Sequence, residues 1–418
     1  MKVAIIGGSA FSTPELIRFL GNNKGPGRMQ VVLSSRSMTR LEAVKRGSIL
    51  AGAGEVEVEI AEIGREGWPR ILDGADCVLI QIRVGGYEGR CFDESFSHKY
   101  GVCGDEGLGP GGLSAGWRTW PVIAELLEAV VTFCPRASVI LLTSPLSLLV
   151  RASHDFVPLD LVGICELPWT TLQNLIRQAG LQNRNLQADY LGVNHLGWFY
   201  NFHGGSDSLN DEIAASIDEG GFPSRSVFRA LRCFPTRYLR MHYEPERVIS
   251  QQVSQPRRAE ILAELQKKAY SAYSTGSEAE ITDILKTRAA PWYPHAVGPL
   301  LLAMDGRSTA IPFFLSARNG SFTDLLDPDD VVECRHDCLD GKLVRPPLNG
   351  VPPAHLAETL LSFVLFERVA TKAITTRSVS LLVEALSLHP WTQGHAQIRA
   401  IANDIVSFNE RVSSVAHQ

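Results

Sequence analysis

Short β-branched apolar runs alternate with longer amphipathic stretches through the first part of the chain. The runs that we interpret as strands are Lys2–Ile6, Gln30–Leu33, Val56–Ile60, Cys77–Ile82, Ser138–Leu142 and Leu159–Cys165. Alternation of this kind predicts a parallel sheet with crossover helices. After Leu167 the pattern loosens into helices and antiparallel-type strands, for which the clearest candidates are Ala188–Val193, Ala310–Leu315, Ala354–Thr371 and Ser378–Leu388. We therefore expect a second region of mixed α+β structure.

A glycine turn follows the first predicted strand, in the segment Gly7-Gly-Ser-Ala-Phe-Ser-Thr-Pro14. Thr13 is predicted to cap a helix that has Pro14 at its first position. Because a strand, a glycine turn and a helix start form a cradle for a pyrophosphate, the predicted dinucleotide contacts here are Gly7, Gly8, Ser9, Phe11 and Thr13. Ser9 stands where the dinucleotide fingerprint usually has its second glycine, so a tight turn without a nucleotide is the alternative.

The second predicted strand ends in Leu33-Ser-Ser-Arg36. A fold that binds NAD usually places an Asp or Glu here, which accepts hydrogen bonds from the adenosine ribose. That acid is missing, and Ser35 and Arg36 suit a 2′-phosphate instead. We therefore expect NAD as the cofactor with NADP as the alternative, and Ser35 and Arg36 as further cofactor contacts. A solvated Arg36 is the other interpretation.

The length of the chain favours two domains, because single cores stop growing near roughly 250–300 residues and this chain has 418. We predict an α/β protein whose residues 1–168 form a Rossmann-like parallel sheet that binds NAD(P). Residues 169–418 are predicted to form a C-terminal mixed α+β domain for substrate, metal and oligomerisation. The expected arrangement is that of lactate and malate dehydrogenases.

The net charge and the apolar runs limit the kinds of partner that we expect. A net charge of −5 supplies no broad field that would attract nucleic acid or an anionic membrane. The opening segment Met1–Ile6 lacks the features of a signal peptide, and no apolar run approaches the ~20 residues of a membrane span. Eight scattered cysteines are expected to be mostly reduced thiols. We therefore expect a cytoplasmic protein that acts on a small molecule.

Polar residues follow two other predicted strands. Arg83 and Arg90 lie in a glycine-rich segment after the fourth strand, where open α/β sheets bind ligands. They are candidates for binding a phosphate or carboxylate, and salt bridges to Asp93 or Glu94 are the alternative. Ser144 follows the fifth strand and offers a hydroxyl to a sugar or ribose, or else caps the next helix.

Cys165 and His195 are the candidate metal ligands, because a thiolate and an imidazole can together bind a divalent ion. A metal beside a nicotinamide would polarise a carbonyl during hydride transfer, which suggests redox chemistry on a hydroxyl-bearing substrate. The segment Cys334-Arg-His-Asp-Cys338 has metal-like residue types, but no second cluster completes a zinc site, so a structural turn is expected there.

The ordered set of motifs resembles the NAD- and metal-dependent glycosidases of glycoside hydrolase family 4. The resemblance covers nearly the whole chain. Its main motifs are Ile6-Gly-Gly-Ser9, Thr13-Pro-Glu-Leu16, Arg83-Val-Gly-Gly86, Gly109-Pro-Gly-Gly112, Arg118-Thr119, Gly163-Ile-Cys165 and Val193-Asn-His-Leu196. Weaker ones are Pro235-Thr-Arg-Tyr-Leu-Arg240, Arg318-Asn-Gly320, Val331-Val-Glu333 and Ala385-Leu-Ser-Leu-His-Pro390. This family is an exception to two-carboxylate glycosidase chemistry.

The resemblance implies a role for each candidate. Cys165 and His195 fall on the metal-ligand positions, usually filled by manganese, and Tyr238 falls near the tyrosine that acts as the base. Glu166 keeps a carboxylate that could protonate a leaving group, which leans toward an α-glycoside. The other candidates are Glu106 for catalysis and Arg90, Ser144, Asn194 and Arg288 for substrate binding, with Arg83 as a cofactor contact. The implied mechanism is transient oxidation at C3 by NAD, C2 deprotonation, elimination, water addition and return of the hydride.

Three departures from the family pattern bear on the substrate. Ser144 replaces an Asn, the segment Gly104-Asp-Glu-Gly107 keeps Glu106 without its usual polar neighbours, and Arg288-Ala-Ala290 replaces Arg-Gly-Gly. We expect a homodimeric or homotetrameric glycosidase for a phosphorylated or otherwise anionic sugar. The alternatives are an NAD(P)-dependent dehydrogenase of a sugar or hydroxy acid, and a nucleotide-binding sensor without catalysis.

Overall fold

The computed structural model describes residues 1–23, 27–184, 186–204, 209–307, 311–339 and 341–416. The strands are β1 (Lys2–Ile6), β2 (Gln30–Ser35), β3 (Glu57–Glu62), β4 (Cys77–Ile80), β5 (Ser138–Leu141), β6 (Leu161–Ile164), β7 (Gln187–Val193), β8 (Leu196–His203), β9 (Cys233–Pro235), β10 (Phe313–Arg318), β11 (Val331–Leu339) and β12 (Lys342–Val344). The helices are α1 (Thr13–Asn22), α2 (Met38–Leu50), α3 (Trp68–Leu72), α4 (Gly86–Asp93), α5 (Gly109–Phe133), α6 (Leu146–Phe156), α7 (Leu167–Gln178), α8 (Leu209–Ser216), α9 (Arg225–Leu231), α10 (Arg240–Tyr243), α11 (Pro245–Ser254), α12 (Arg258–Thr275), α13 (Glu278–Arg288), α14 (Gly298–Met304), α15 (Ala354–Thr376), α16 (Val379–Leu388) and α17 (His395–Ala416).

The N-terminal half is a parallel sheet with the strand order β3-β2-β1-β4-β5-β6. Its inner strands β1, β4, β5 and β6 are mostly apolar because helices cover both faces, whereas the edge strand β3 carries Glu57, Glu59 and Glu62. In β1, Val3 and Ile5 pack into one apolar cluster while Ala4 and Ile6 pack into the other. The order is that of a Rossmann sheet, so the predicted fold class of this half is confirmed.

The C-terminal half extends the same sheet with antiparallel strands. β10 pairs with β6 through Leu315 opposite Ile164, and β11, β7, β8 and β9 follow in that order. The predicted strand Ala310–Leu315 begins too early: β10 covers Phe313–Arg318, and Ala310 itself lies outside the described residues. The sheet therefore runs without a break past residue 168, and the division into 1–168 and 169–418 stays a prediction.

Two local predictions were wrong. The N-cap of α1 is Ser12 rather than Thr13, because the Thr13 hydroxyl instead accepts a hydrogen bond from Gln81 Nε2 at 3.1 Å. The expected turn at Cys334–Cys338 is part of β11. Cys334 and His336 point inward there, at 0% and 4% exposure, so the alternation is that of a half-buried strand.

Polar contacts hold the two halves together. The guanidinium of Arg46 in α2 donates to the carbonyl oxygens of Tyr273 and Gly276, both at 2.8 Å. Asp330 is fully buried and accepts hydrogen bonds from Arg151 and Arg368, both at 2.6 Å. These contacts fix α12 and α15 against the parallel half. Within the described residues, no helix combines the length and hydropathy needed to cross a bilayer.

Candidate active site

A cleft of 1680 Å³ opens at the carboxyl ends of the parallel strands. Its wall includes Gly7, Ser35, Gln81, Leu142 and Cys165, which stand at or just after the ends of five of these strands. Open α/β sheets bind their ligands at this edge. The predicted site residues on the wall are Gly7, Ser9, Phe11, Ser35, Arg36, Arg83, Arg90, Glu106, Ser144, Cys165, Glu166, Asn194, His195, Tyr238 and Arg288.

Gly8 and Thr13 belong to the glycine turn but are not on the described cleft wall. The N–H groups of Gly7 and Gly8 both donate to Ser34 O at 2.9 Å, and a Cβ on Gly8 would lie 2.8 Å from Leu33 Cα. Gly7 has a φ of +88°, and a Cβ there would lie 2.7 Å from Gln81 O. Thus only glycine fits at residue 7, and Gly8 and Thr13 are packed against β2 and Gln81 rather than facing the cleft.

His195 lies in a two-residue turn between β7 and β8. Its φ of +67° is unusual for a residue other than glycine, and such strain often occurs at functional sites. The buried Thr236 hydroxyl donates to His195 O at 2.6 Å, while Asn194 Nδ2 donates to Glu333 at 3.2 Å. The imidazole stacks on the Tyr238 ring, with centroids 4.5 Å apart and planes 10° apart.

The buried environment keeps both candidate metal ligands neutral. Burial, reinforced by Arg237, lowers the pKa of His195 to about 4, and its Nδ1 is buried without a hydrogen-bond partner. Burial, with smaller effects from Glu166 and Glu333, raises the pKa of Cys165 well above its usual value. The imidazole is therefore ready to act as a ligand, whereas the thiol needs a nearby cation to become a thiolate.

Imidazole, carboxylate and thiol groups on the cleft wall, those of His195, Asp105 and Cys165, are donor types that bind divalent metal ions. A Cβ on Gly107 would lie 3.3 Å from Asp105 Oδ1 and 3.5 Å from His195 Nδ1, so a carboxylate lies close to the imidazole. In the described part of the chain, no three His, Cys, Asp or Glu side chains are grouped closely enough to hold a metal ion. Binding of a metal ion by Cys165 and His195 therefore stays a prediction.

The phenol of Tyr238 is protonated in this environment. Burial raises its pKa to about 12, Asp105 and Cys165 add to the rise, and Arg237 opposes it. The guanidinium of Arg237 lies 5.3 Å from the centre of the tyrosine ring. A divalent cation beside the ring would lower this pKa.

Arg83 and Arg90 both bind Glu106. Arg83 Nη1 pairs with Glu106 Oε2, and Arg90 pairs with Glu106 Oε1 at 2.9 Å and with Glu94 at 2.6 Å. The expected partner Glu94 is therefore present, whereas Asp93 binds Arg118 at 2.5 Å instead. Because both oxygens of Glu106 are occupied, this carboxylate is neutralised, and its catalytic role stays a prediction.

The remaining candidates lie around these groups. Arg288 stacks over Trp292 at 4.6 Å and near Phe11 at 5.6 Å, and its Nε has no hydrogen-bond partner. Glu166 lies beside the Cys165 sulfur at 3.5 Å. Ser144 does not cap α6, because the N-cap is Pro145 and no side chain caps that helix. The roles assigned to these residues stay predictions.

Sequence reasoning missed three residues that shape the site: Asp105, Thr236 and Glu333. Asp105 adjoins Glu106 in sequence, and burial raises its pKa to about 6. Thr236 and Glu333 belong to weak motifs to which no role was assigned. Glu333 accepts hydrogen bonds from Tyr190 at 2.6 Å and from Asn194 at 3.2 Å. For Glu333 the available signal was a charged residue between two apolar neighbours on a buried segment.

Two family models together match most of the chain. The family 4 glycosyl hydrolase model matches residues 2–181, and the model of the family 4 C-terminal domain matches residues 190–392. The chain is 23% identical to the 6-phospho-beta-glucosidase BglT of Thermotoga maritima over 98% of each protein. It is 29% identical to the phospho-alpha-glucosidase PagL of Clostridium acetobutylicum over 47% of the chain and 45% of PagL.

Solved structures share the fold. The Thermotoga maritima 6-phospho-beta-glucosidase, solved with NAD and glucose-6-phosphate, has a TM-score of 0.85 at 22% identity over 99% of each chain. A 6-phospho-alpha-glucosidase from gut microorganisms, solved with NAD and Mn²⁺, has a TM-score of 0.81 at 20% identity over 98% of each chain. Plasmodium falciparum malate dehydrogenase matches at 0.52 and 12% identity over 90% of this chain and 99% of its own. The predicted dehydrogenase-like arrangement is thus confirmed.

Proposed function

Because this chain belongs to the family 4 glycosyl hydrolases, we propose that it hydrolyses the O-glycoside of a 6-phosphorylated sugar with a nicotinamide dinucleotide and Mn²⁺. One observation carries the proposal. The glycine turn, the neutral imidazole of His195, the thiol of Cys165 and the phenol of Tyr238 line a single cleft. Similar proteins solved with NAD, Mn²⁺ and glucose-6-phosphate support it.

Cys165 and His195 would bind the metal. When bound, the dinucleotide would supply reversible hydride transfer at C3 of the sugar, and the metal would supply polarisation of the neighbouring oxygens, which would make the C2 proton acidic. Tyr238, whose ring is stacked on His195, is the candidate for removing that proton as a phenolate, a form that a nearby metal ion would favour. Glu166 adjoins Cys165 and is the candidate for protonating the leaving oxygen.

A group of arginines would bind the phosphate. They line the cleft wall together with Tyr87, a residue of α4. Burial raises the pKa of the Tyr87 phenol, and the guanidinium groups that oppose this rise are those of Arg83, Arg90, Arg288 and Arg258. Glu94 and Glu106 neutralise two of the four. The remaining excess of positive charge suits a phosphate dianion.

We infer that the enzyme works in the cytoplasm. A phosphorylated sugar is charged and does not cross a membrane unaided, so the enzyme and its substrate share a compartment. Eight cysteines without a disulfide also fit a reducing environment. A homodimer or homotetramer stays a prediction.

The test uses chromogenic nitrophenyl 6-phosphoglycosides of both anomers and the purified protein. We expect cleavage only when both a nicotinamide dinucleotide and Mn²⁺ are present, with no net accumulation of reduced cofactor because the hydride returns. Tyr238→Phe should abolish most of the activity, while Tyr243→Phe, a change at a half-exposed tyrosine off the cleft wall, should not. Undiminished cleavage after removal of cofactor and metal would refute the mechanism. Reduced cofactor accumulating with product would instead indicate a dehydrogenase.

A further inference from the structure

The far end of the cleft, beside the end of β2, carries positive charge. Ser35, Arg36, Ser37 and Arg40 line the wall there, and the segment from residue 34 to residue 40 contains no carboxylate. The acidic residues on the wall belong to other segments of the chain, namely Asp93, Glu94, Asp105, Glu106, Glu125 and Glu166. The electrostatics of this end therefore differ from those of a site for an unphosphorylated ribose.

This end is where the adenosine ribose of a bound dinucleotide would lie. Ser34 O accepts hydrogen bonds from the N–H groups of Gly7 and Gly8, both at 2.9 Å, so the glycine turn lies directly against the end of β2. A dinucleotide with its pyrophosphate on the turn extends its adenosine ribose over that strand end. The 2′ position then faces residues 35–40. This step rests on the proposed function, which supplies the dinucleotide.

Arg40 is held in place beside the turn. Its guanidinium lies 5.4 Å from the centre of the Tyr270 ring, and the Tyr270 hydroxyl donates to Ser9 O at 2.6 Å. Arg36 and Arg40 are both exposed, and within the described chain neither forms an ion pair. Two guanidinium groups are thus available on one side of the ribose position.

Glu62 does not take the place of the missing acid. It is opposite Ser35 in the register of β2 and β3, which makes it the nearest carboxylate along the sheet. Glu62 is exposed and is absent from the described wall of the cleft, whereas its neighbour Ile63 is on that wall. No described carboxylate therefore stands where it would accept a bond from the ribose or repel a phosphate at the 2′ position.

We propose that the cleft binds a dinucleotide with a 2′-phosphate, NADP, and that Arg36 and Arg40 bind this phosphate. A phosphate dianion between two guanidinium groups forms charge-assisted hydrogen bonds, which are stronger than neutral ones. A ribose without the phosphate leaves both arginines solvated and gains nothing from them. The preference for the phosphorylated cofactor comes from this difference.

The test measures binding of two mononucleotides by calorimetry, without metal, sugar or turnover. We expect 2′,5′-ADP to bind at least about tenfold more tightly than 5′-AMP at low salt, and the preference to shrink as salt is added. Arg36→Ala and Arg40→Ala should each reduce the preference severalfold. Arg28→Ala is the matched control, because Arg28 is exposed and precedes the opposite end of the same strand.

Three results would overturn the proposal: equal or tighter binding of 5′-AMP, no binding of either nucleotide, or losses in the two variants no larger than in Arg28→Ala. Failure of the proposed glycosidase activity is distinguishable. Tight binding of 2′,5′-ADP by a protein that cleaves no 6-phosphoglycoside would support the 2′-phosphate site and refute the glycosidase. Cleavage with NAD by a protein that does not prefer 2′,5′-ADP would support the glycosidase and refute the 2′-phosphate site.

Discussion

Thr236 holds the turn that presents His195, and its replacement by valine tests that arrangement. The side chain is fully buried. Its hydroxyl donates to His195 O at 2.6 Å and accepts from Gly197 N–H at 3.4 Å. Valine keeps the shape and removes the hydroxyl, so a carbonyl oxygen and a more weakly bound N–H lose their partner.

The expected magnitude follows from these contacts. A buried polar group left without a partner costs about 1–3 kcal/mol, so Thr236→Val should lower the free energy of unfolding by about 2 kcal/mol. His195 has a φ of +67°, and this left-handed conformation costs about 1–2 kcal/mol for a residue with a Cβ. If the freed turn relaxes, metal binding must restore the strain. The affinity for Mn²⁺ should then fall about 5- to 30-fold.

Urea unfolding and calorimetric titration with Mn²⁺ measure the two effects. Thr236→Ser keeps the hydroxyl, so it should retain most of the Mn²⁺ affinity while losing only a methyl group. An equal Mn²⁺ affinity in the valine and serine variants would refute the claim that this hydroxyl positions the imidazole.

Three further predictions concern stability and the cofactor turn. Burial raises the pKa of Glu367 to about 7 from 4.5, so the folded state binds more protons between these values and the free energy of unfolding falls as pH rises through them. Glu367→Gln should remove this fall, which amounts to about 3 kcal/mol, in urea titrations at several pH values, and Glu358→Gln on the exposed side of α15 should not. Asp330→Asn leaves Arg151 and Arg368 without their buried carboxylate and should lower the free energy of unfolding by about 3–5 kcal/mol. Asp329→Asn, at its exposed neighbour, should lower it by less than about 1 kcal/mol. Equal losses in the two variants would refute the claim that the buried Asp330 carboxylate stabilises the fold. Gly7→Ala places a Cβ 2.7 Å from Gln81 O at a φ of +88°, so fluorescence titration should show weaker dinucleotide binding. Gly220→Ala, where a Cβ meets nothing within 4 Å, is its control and should bind normally.

The parallel half could be predicted from sequence because most of its strands are buried on both faces. Such strands appear as uninterrupted apolar runs, and each of the six predicted runs overlaps one of β1–β6. β10 was harder, since the run around Phe313 starts before the strand does. The position of β10 is set by its pairing with Ile164 on β6. No local sequence pattern predicts this pairing.

The site was predictable in its members and less so in their contacts. Cys165, His195 and Tyr238 were proposed through their motifs, and all three line one cleft, while their roles stay predictions. Thr13 was expected to cap a helix by a local rule, yet its hydroxyl accepts a hydrogen bond from Gln81, which is distant in sequence. Arg83 binds Glu106, 23 residues away, where only nearer acids had been considered. Long-range partners of this kind decide side-chain roles and leave little trace in local sequence.

Removal of the C2 proton is the step on which the account depends most. The most direct measurement is cleavage of a nitrophenyl 6-phosphoglycoside in D₂O, followed by mass and NMR analysis of the sugar product. If the C2 proton leaves and is replaced from solvent, the product should carry deuterium at C2, and Tyr238→Phe should make little product of this kind. A product that retains its original hydrogen at C2 would contradict the account.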